Sequence, residues 1–268
     1  MARGEKEWDC LEVVKNSFNR FRKENQYGIS REDTDELENM FKIVKPNENS
    51  NDFPDFVFEN GFIEHFQITS SKQSNKKGAE HIKNKSVYSA RLEKSFERYM
   101  TSEYQGIMHS DFRYGAHSYE WLKESFKMNW ENHINSLEKY ETEYKTGIFM
   151  VQYIDGALLM AEDIYGPSGV DGFSMPIRAQ QYFEDYQLSR DKELLTYLQG
   201  FKDKIKYVFF VNCSGVEFIS LEHIDSMIKL LPWDFLIDSG YGMTETNMFA
   251  KITIPDIESE NNDCKSKK

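Results

Sequence analysis

Apolar residues recur at three- and four-residue steps from the start of the chain. Trp8, Leu11, Val14, Phe18 and Phe21 make one stripe, which predicts an amphipathic helix over 5–24. Gln26-Tyr27-Gly28 breaks the pattern, and Ser30 offers an N-cap for a second helix over 31–42 with Leu37, Met40 and Phe41 inward. After a polar Asn- and Ser-rich loop the period changes from 3.6 to 2 over 54–68, as in paired strands. Helical spacing returns at 86–103 and again at 118–141, where Ser118 caps a run through Trp121, Leu122, Phe126, Trp130, Ile134 and Leu137. Segments 146–154 and 158–164 read as strands paired through the turn signal Asp155-Gly156. The run 207–212 is continuously apolar, as in a strand buried on both faces, and 216–221 is its natural partner. Further helices are predicted at 191–206 and 222–231, the latter stopped by Pro232, and a last strand at 248–254. The glycine- and proline-punctuated stretch 165–189 reads as a long loop, and 255–268 as a disordered tail. Helices and strands alternate without a linker or repeat, so the prediction is one α/β domain over 1–254, with a motif-bearing core at about 30–154.

Composition narrows the function classes. The 268 residues are 39% hydrophobic and 15% aromatic, enough to bury a substantial core. A formal charge of −12 argues against a basic coat for nonspecific nucleic-acid binding, but leaves room for a local basic strip. Cysteines at 10, 213 and 264 show no CxxC spacing, so neither a disulfide framework nor a cysteine-ligated zinc site follows, and a reducing cytosol fits. No apolar run approaches the length of a membrane span, and the first residues carry no apolar signal core, so the expected setting is cytoplasmic with no membrane partner.

The chemistry concentrates at 54–72: Pro54-Asp55-Phe56-Val57-Phe58-Glu59-Asn60-Gly61-Phe62-Ile63-Glu64-His65-Phe66-Gln67-Ile68-Thr69-Ser70-Ser71-Lys72. Asn60-Gly61 between apolar runs signals a two-residue type I′ hairpin. That turn would set Glu59 opposite Phe62, Phe58 opposite Ile63, Val57 opposite Glu64 and Asp55 opposite Phe66. Asp55 and Glu64 then share a sheet face as diagonal neighbours roughly 7–8 Å apart. His65 and Gln67 fall on the other face. Two carboxylates so placed suit a hard divalent cation, which can activate water and steady a phosphodiester under attack. The plainer reading is that Pro-Asp merely starts a strand and Glu64 faces solvent.

These residues resemble the PD-(D/E)XK nuclease superfamily. Pro54-Asp55 matches the Pro-Asp of its motif and Glu64 matches the second acid. The resemblance spans roughly residues 30–100. It implies a restriction-endonuclease-like mixed sheet flanked by helices, with an elaborated C-terminal half. It also implies a metal-dependent endonuclease, in restriction or phage defence, acting on DNA more than RNA with Mg2+ or Mn2+. Asp55 and Glu64 would hold the metal with Glu36 from the preceding helix, Glu32 being its rival one turn earlier. The motif lysine is replaced by Phe66. Either Lys72 or Gln67 takes its catalytic part, or catalysis is lost and the protein is a binding module. A homodimer or a protein partner is left open.

Five lysines against one glutamate make 72–85 locally basic. Lys76, Lys77, Lys83 and Lys85 are the candidates for backbone phosphate contacts, the alternative being a solvated loop ahead of a helix. An acidic nucleic-acid mimic would use the overall charge, but that basic loop argues against it. The six histidines (65, 81, 109, 117, 133, 223) show no paired zinc spacing, and His133 reads as a surface or packing histidine. No Ser-His-Asp arrangement is evident. The glycines at 166–172 do not match a phosphate loop, and Asp155, Glu162 and Asp163 read as exposed hairpin-end acids.

Overall fold

The computed structural model describes residues 4–20, 25–48, 53–72, 80–103, 106–140, 144–166, 177–183, 185–231, 236–239 and 244–251. In chain order the elements are α1 (Glu5–Arg20), β1 (Gln26–Tyr27), α2 (Arg31–Ile43), β2 (Lys45–Pro46), β3 (Phe56–Phe58), β4 (Gly61–Ile68), α3 (Glu80–Thr101), β5 (Ile107–Arg113), α4 (Tyr119–Lys139), β6 (Thr146–Tyr153), β7 (Leu158–Gly166), β8 (Ile177–Phe183), α5 (Lys192–Leu198), β9 (Tyr207–Val211), β10 (Val216–Ser220), α6 (Ile224–Leu230), β11 (Leu236–Ser239) and β12 (Thr244–Ala250). Seven strands form one mixed sheet in the order β1-β10-β9-β6-β4-β3-β2. At its centre β4, β6 and β9 run parallel, and β2-β3-β4 and β9-β10 pair antiparallel. The chain is therefore α/β, with a mixed sheet flanked by helices.

Alternation along the central strands feeds two cores. Phe62, Phe66, Ile68, Phe149, Val151, Val208 and Phe210 point to one face, where α4 supplies Leu122, Phe126, Trp130 and Ile134 and α5 supplies Leu194, Leu195 and Leu198. Ile63, Ile148, Met150, Phe209 and Phe218 point to the other, under Leu11, Val14 and Phe18 of α1 and Leu37 and Met40 of α2. Both faces of β9 are covered, as its unbroken apolar run predicts. Ser30 caps α2 in a reciprocal capping box with Asp33, and Ser118 caps α4.

Several expectations are corrected. The β6 and β7 strands do not form a hairpin through Asp155-Gly156: β7 belongs to a separate sheet, β11-β7-β8. The predicted loop 165–189 contains β8 and a 3-10 turn at Leu188–Arg190, and 167–176 lie outside the described residues. The loop predicted up to residue 85 is already helical from Glu80. A two-stranded ribbon, β5 with β12, was not foreseen, because its strands bury only alternate residues in part. The predicted tail lies outside the described residues. Among the described residues no helix is long and apolar enough to cross a membrane.

The hairpin forms, but two residues out of the predicted register. Phe58 pairs with Gly61, Val57 with Phe62 and Phe56 with Ile63, so the loop is Glu59-Asn60 and not Asn60-Gly61. Asn60 alone takes a left-handed φ, 69°, so the turn is not type I′. Gly61 is needed for clearance instead: a Cβ there would lie 2.1 Å from the Phe58 ring and 2.6 Å from the Thr146 carbonyl oxygen on β6. Gly61→Ala should therefore destabilise the protein by roughly 1–3 kcal/mol through overpacking, read from the urea midpoint. An unchanged midpoint would mean that β6 does not approach the turn this closely.

Candidate functional site: a carboxylate pair beside a histidine

A two-residue shift keeps every side chain on its face, and here it brings the acids closer. Continuing the observed ladder sets Asp55 directly opposite Glu64. Each carboxylate accepts a hydrogen bond from the other strand's backbone: the Asp55 N–H donates to Glu64 Oε2 at 3.0 Å, and the His65 N–H donates to Asp55 Oδ2 at 2.7 Å. Glu64 is 7% exposed, and both acids line a cavity of about 640 Å³ with Glu7, Trp8 and Asp9 of α1 and His133 of α4. Burial first, and the charge of Glu64 second, push the Asp55 carboxyl up to about 7; Glu7 adds to the effect.

His133 is not an ordinary packing histidine. Its Nδ1 lies 2.7 Å from Glu64 Oε1, and its ring stacks on Phe66 with centroids 4.7 Å apart. Because a carboxylate only accepts, Nδ1 carries the proton, and in the neutral imidazole Nε2 keeps a lone pair. The signal was present in the sequence: His133 follows Trp130 by three positions and precedes Leu137 by four, so it lies on the sheet-facing stripe of α4. Glu7 had a similar signal, preceding Leu11 by four positions and Val14 by seven on the apolar stripe of α1.

The other predicted site residues are placed elsewhere. Glu36 is not a ligand beside Asp55 and Glu64. Its carboxylate is engaged by Lys206 Nζ at 2.6 Å, Thr146 Oγ1 at 2.8 Å and the Tyr207 hydroxyl at 3.2 Å, in a network with Asp33. Glu32 is exposed on α2. Gln67 lies on the opposite face of β4 from Glu64, as alternation requires, and donates to Gln152 Oε1 at 2.8 Å, an oxygen also 3.2 Å from His65 Nε2. Phe66, at the motif lysine position, packs against Trp130 and Phe149 in the core, where an ammonium would be unpaired.

Lys72 is exposed beyond the end of β4, and its carbonyl oxygen accepts from Glu80 N–H at 3.0 Å. It does not line the carboxylate cavity, and among the described residues no lysine does. Lys83 and Lys85 are exposed on α3, and Lys85 lines a neighbouring cavity of about 670 Å³ with Lys6, Gln67 and Gln152. Asp9 borders both cavities. Lys76 and Lys77 lie outside the described residues.

One half-buried carboxyl, Asp55, and one buried carboxyl, Glu217, should give the metal-free protein a distinctive pH dependence. Asp55 and Glu217 both titrate in the folded state at about 7, against ordinary values of 3.8 and 4.5. Glu217 is raised by burial, partly offset by hydrogen bonds from Ser189 and Leu188. Between about pH 4 and 7 the folded state holds protons that the unfolded chain has released, so stability should fall as pH rises through that window. Asp55→Asn should flatten the dependence by removing the Asp55 share and leave the Glu217 share. Melting temperatures across the window check this, and equal slopes in the two proteins would refute the raised Asp55 carboxyl.

What the arrangement can do follows from its donors. Carboxylate oxygens on β4 and just before β3, with Glu7 and Asp9 of α1 in the same cavity lining, suit a small hard cation. The carboxylate-held imidazole at the cavity wall can accept a proton. The chain was also compared with known proteins, and no protein-family model, curated protein or solved structure matches it.

Proposed function

We propose that this chain is a cytosolic, divalent-cation-dependent phosphodiesterase acting on nucleic acid, with DNA as the substrate class that the nuclease resemblance implies. The observation that carries the reading is the convergence of half-buried Asp55 and buried Glu64, each accepting a hydrogen bond from the other's strand, with the Asp55 carboxyl pushed up to about 7 by burial and by the Glu64 charge. Such a pair is costly without a partner and is relieved by a cation of two positive charges. Mg2+ or Mn2+ bound there would polarise a phosphodiester and lower the pKa of a water. Asp55 and Glu64 would hold the ion, and Glu7 would add negative charge. His133, fixed by Glu64 through Nδ1, would take the attacking water's proton at Nε2, the part played by a lysine in the motif that the sequence resembles. Lys6, Lys83 and Lys85 would meet backbone phosphates beside the site.

A second reading has its own observation. Phe66 is built into the core and no lysine lines the carboxylate cavity among the described residues, which favours a descendant of such a nuclease that binds nucleic acid or protein without cutting. Incubating supercoiled plasmid, single-stranded DNA and RNA with the purified chain in Mg2+, in Mn2+ and in chelator separates the two. Cation-dependent cleavage that is lost in Asp55→Asn supports the enzyme. Intact substrates in both cations, with the nucleic acid retained by the protein, support the binding module.

A further inference from the structure

A second cluster lies apart from the carboxylate pair. Ser70 ends the segment after β4, His81 opens the first turn of α3, His117 precedes α4, and Asp155 sits in the connection from β6 to β7. The sequence reading treated these histidines as scattered and Asp155 as an exposed acid; the fold buries them together. His81 is 3% exposed, His117 6% and Asp155 1%. One donor atom from each lies within 4.8 Å of the other two.

Asp155 is the anchor. It accepts from Thr69 Oγ1, from the Ser70 N–H at 2.9 Å and from Ser70 Oγ at 2.9 Å, and His117 Nδ1 approaches it at 3.3 Å. Burial works to raise its carboxyl, but the contacts with His117, Thr69 and Ser70 outweigh that and hold it below its ordinary value, so the acid is a buried anion. Ser70 Oγ also lies 3.0 Å from His117 Nδ1. In the metal-free protein His117 Nδ1 donates to Asp155, and a cation entering between this pair would replace that proton. His117 Nε2 is buried without a hydrogen-bond partner, and so is Nδ1 of His81. Burial lowers the pKa of the His81 imidazole, with a smaller contribution from the neighbouring His117.

Two orphaned imidazole nitrogens beside one carboxylate are unusual in a folded interior, where polar atoms are nearly always paired. A cation held by His81 Nδ1, His117 Nδ1 and Asp155 accounts for the orphaned His81 nitrogen and for the close approach of His117 to Asp155. We propose that His81, His117 and Asp155 form a site for a borderline divalent transition cation, with zinc as the ion that best fits two imidazoles and one carboxylate.

Bonds of about 2.1 Å in a tetrahedron set ligand atoms roughly 3.4 Å apart; His117 Nδ1 and Asp155 Oδ2 already lie 3.3 Å apart, and a ligand atom of each of the three residues lies within 4.8 Å of the others. His81 and Tyr153 line the 670 Å³ cavity, which gives an entry path and room for a water as a further ligand. The Tyr153 hydroxyl donates to Ser70 Oγ at 2.9 Å, so the surroundings of Asp155 are themselves tied down. The cation would cross-link the segment after β4, the start of α3, the approach to α4 and the β6–β7 connection, and so act on stability. The carboxylate cavity is an oxygen-rich site on other strands, and neither site depends on the other.

The test is zinc and cobalt binding to the full, tag-free chain after dialysis against chelator. In Asp55→Asn, where the carboxylate pair is broken, we expect one zinc per chain with Cys-independent affinity, a visible cobalt spectrum of nitrogen and oxygen ligation, and a melting temperature raised by roughly 5 °C at hundredfold excess over Kd. Adding His81→Ala to that variant should weaken zinc by at least about tenfold and abolish the cobalt spectrum. The cobalt spectrum of Asp55→Asn decides the matter if the His81→Ala change does not fold. A folded Asp55→Asn that binds no stoichiometric zinc, or a folded protein with His81→Ala added that binds it undiminished, would overturn the proposal.

Discussion

Glu64→Ala should lower cation-dependent cleavage by roughly 1,000-fold or more, the largest loss expected from any single residue of the site. The reason is that Glu64 serves two groups at once. One carboxylate oxygen accepts from the Asp55 backbone N–H, and the other holds His133 Nδ1. Removing it takes away a ligand of the cation and also frees the imidazole to turn. Even outer partners of a metal site are worth about 10–100-fold, and a positioned general base about 100- to 10,000-fold. His133→Ala separates the two parts: it should lower turnover while leaving the affinity for Mg2+ within a few-fold. Single-turnover rates beside cation titrations of both variants check this. If His133→Ala weakened the cation as much as Glu64→Ala does, the histidine would be supporting the ligand only.

Trp130→Ala should cost about 3–5 kcal/mol, the largest stability effect of any single core truncation proposed for this chain. Trp130 is fully buried on α4 and meets Phe126, Phe149, Phe66 and Phe201 at ring-centroid distances of 5.6, 4.7, 6.3 and 5.6 Å. Truncation would leave a cavity that four other rings cannot readily refill. For a chain of this size the melting temperature should fall by roughly 10 °C. Trp130→Phe should be much milder, because the indole N–H is buried without a partner and its removal leaves nothing unpaired. His133 lies one turn further along the same helix and stacks on Phe66, so the truncation should also loosen the site before the protein unfolds. Equal stability of the two variants would show that the ring packing is not what holds α4 to the sheet.

How far the sequence revealed this site depends on which interactions are local. The α1 and α4 stripes, the Ser30 and Ser118 caps and the apolar β9 run are patterns of one segment each, and the fold follows them closely. The hairpin was visible for the same reason, but its register was not. Asn60-Gly61 is a strong turn signal, yet Gly61 is required where β6 passes, a demand from a strand 85 residues further on. The partners of β7 and the β5–β12 ribbon are equally non-local, so the turn signal at Asp155-Gly156 misled.

The same division applies to the chemistry. Asp55 and Glu64 were legible as a pair because they share one hairpin. Glu36 was not excluded by anything local; it is claimed by Lys206 and Thr146, both more than 100 residues away. His133 reaches Glu64 across 69 positions, and only the sheet-facing spacing on α4 hinted at it. The cluster of His81, His117 and Asp155 has no metal-site spacing in the sequence, since its members come from the first turn of α3, the approach to α4 and the β6–β7 connection.

The central claim is that Asp55 and Glu64 together hold a divalent cation. Its most direct test is calorimetric titration of Mg2+ into the metal-free chain, beside Asp55→Asn and Glu64→Gln. The account predicts a single oxygen-ligand site in the wild type, tightening as pH rises through about 7 because Asp55 must lose its proton to bind, and at least about 10-fold weaker in each variant. Folded wild-type protein that takes up no Mg2+ at any pH in that range, or variants that bind it as well as the wild type, would contradict it.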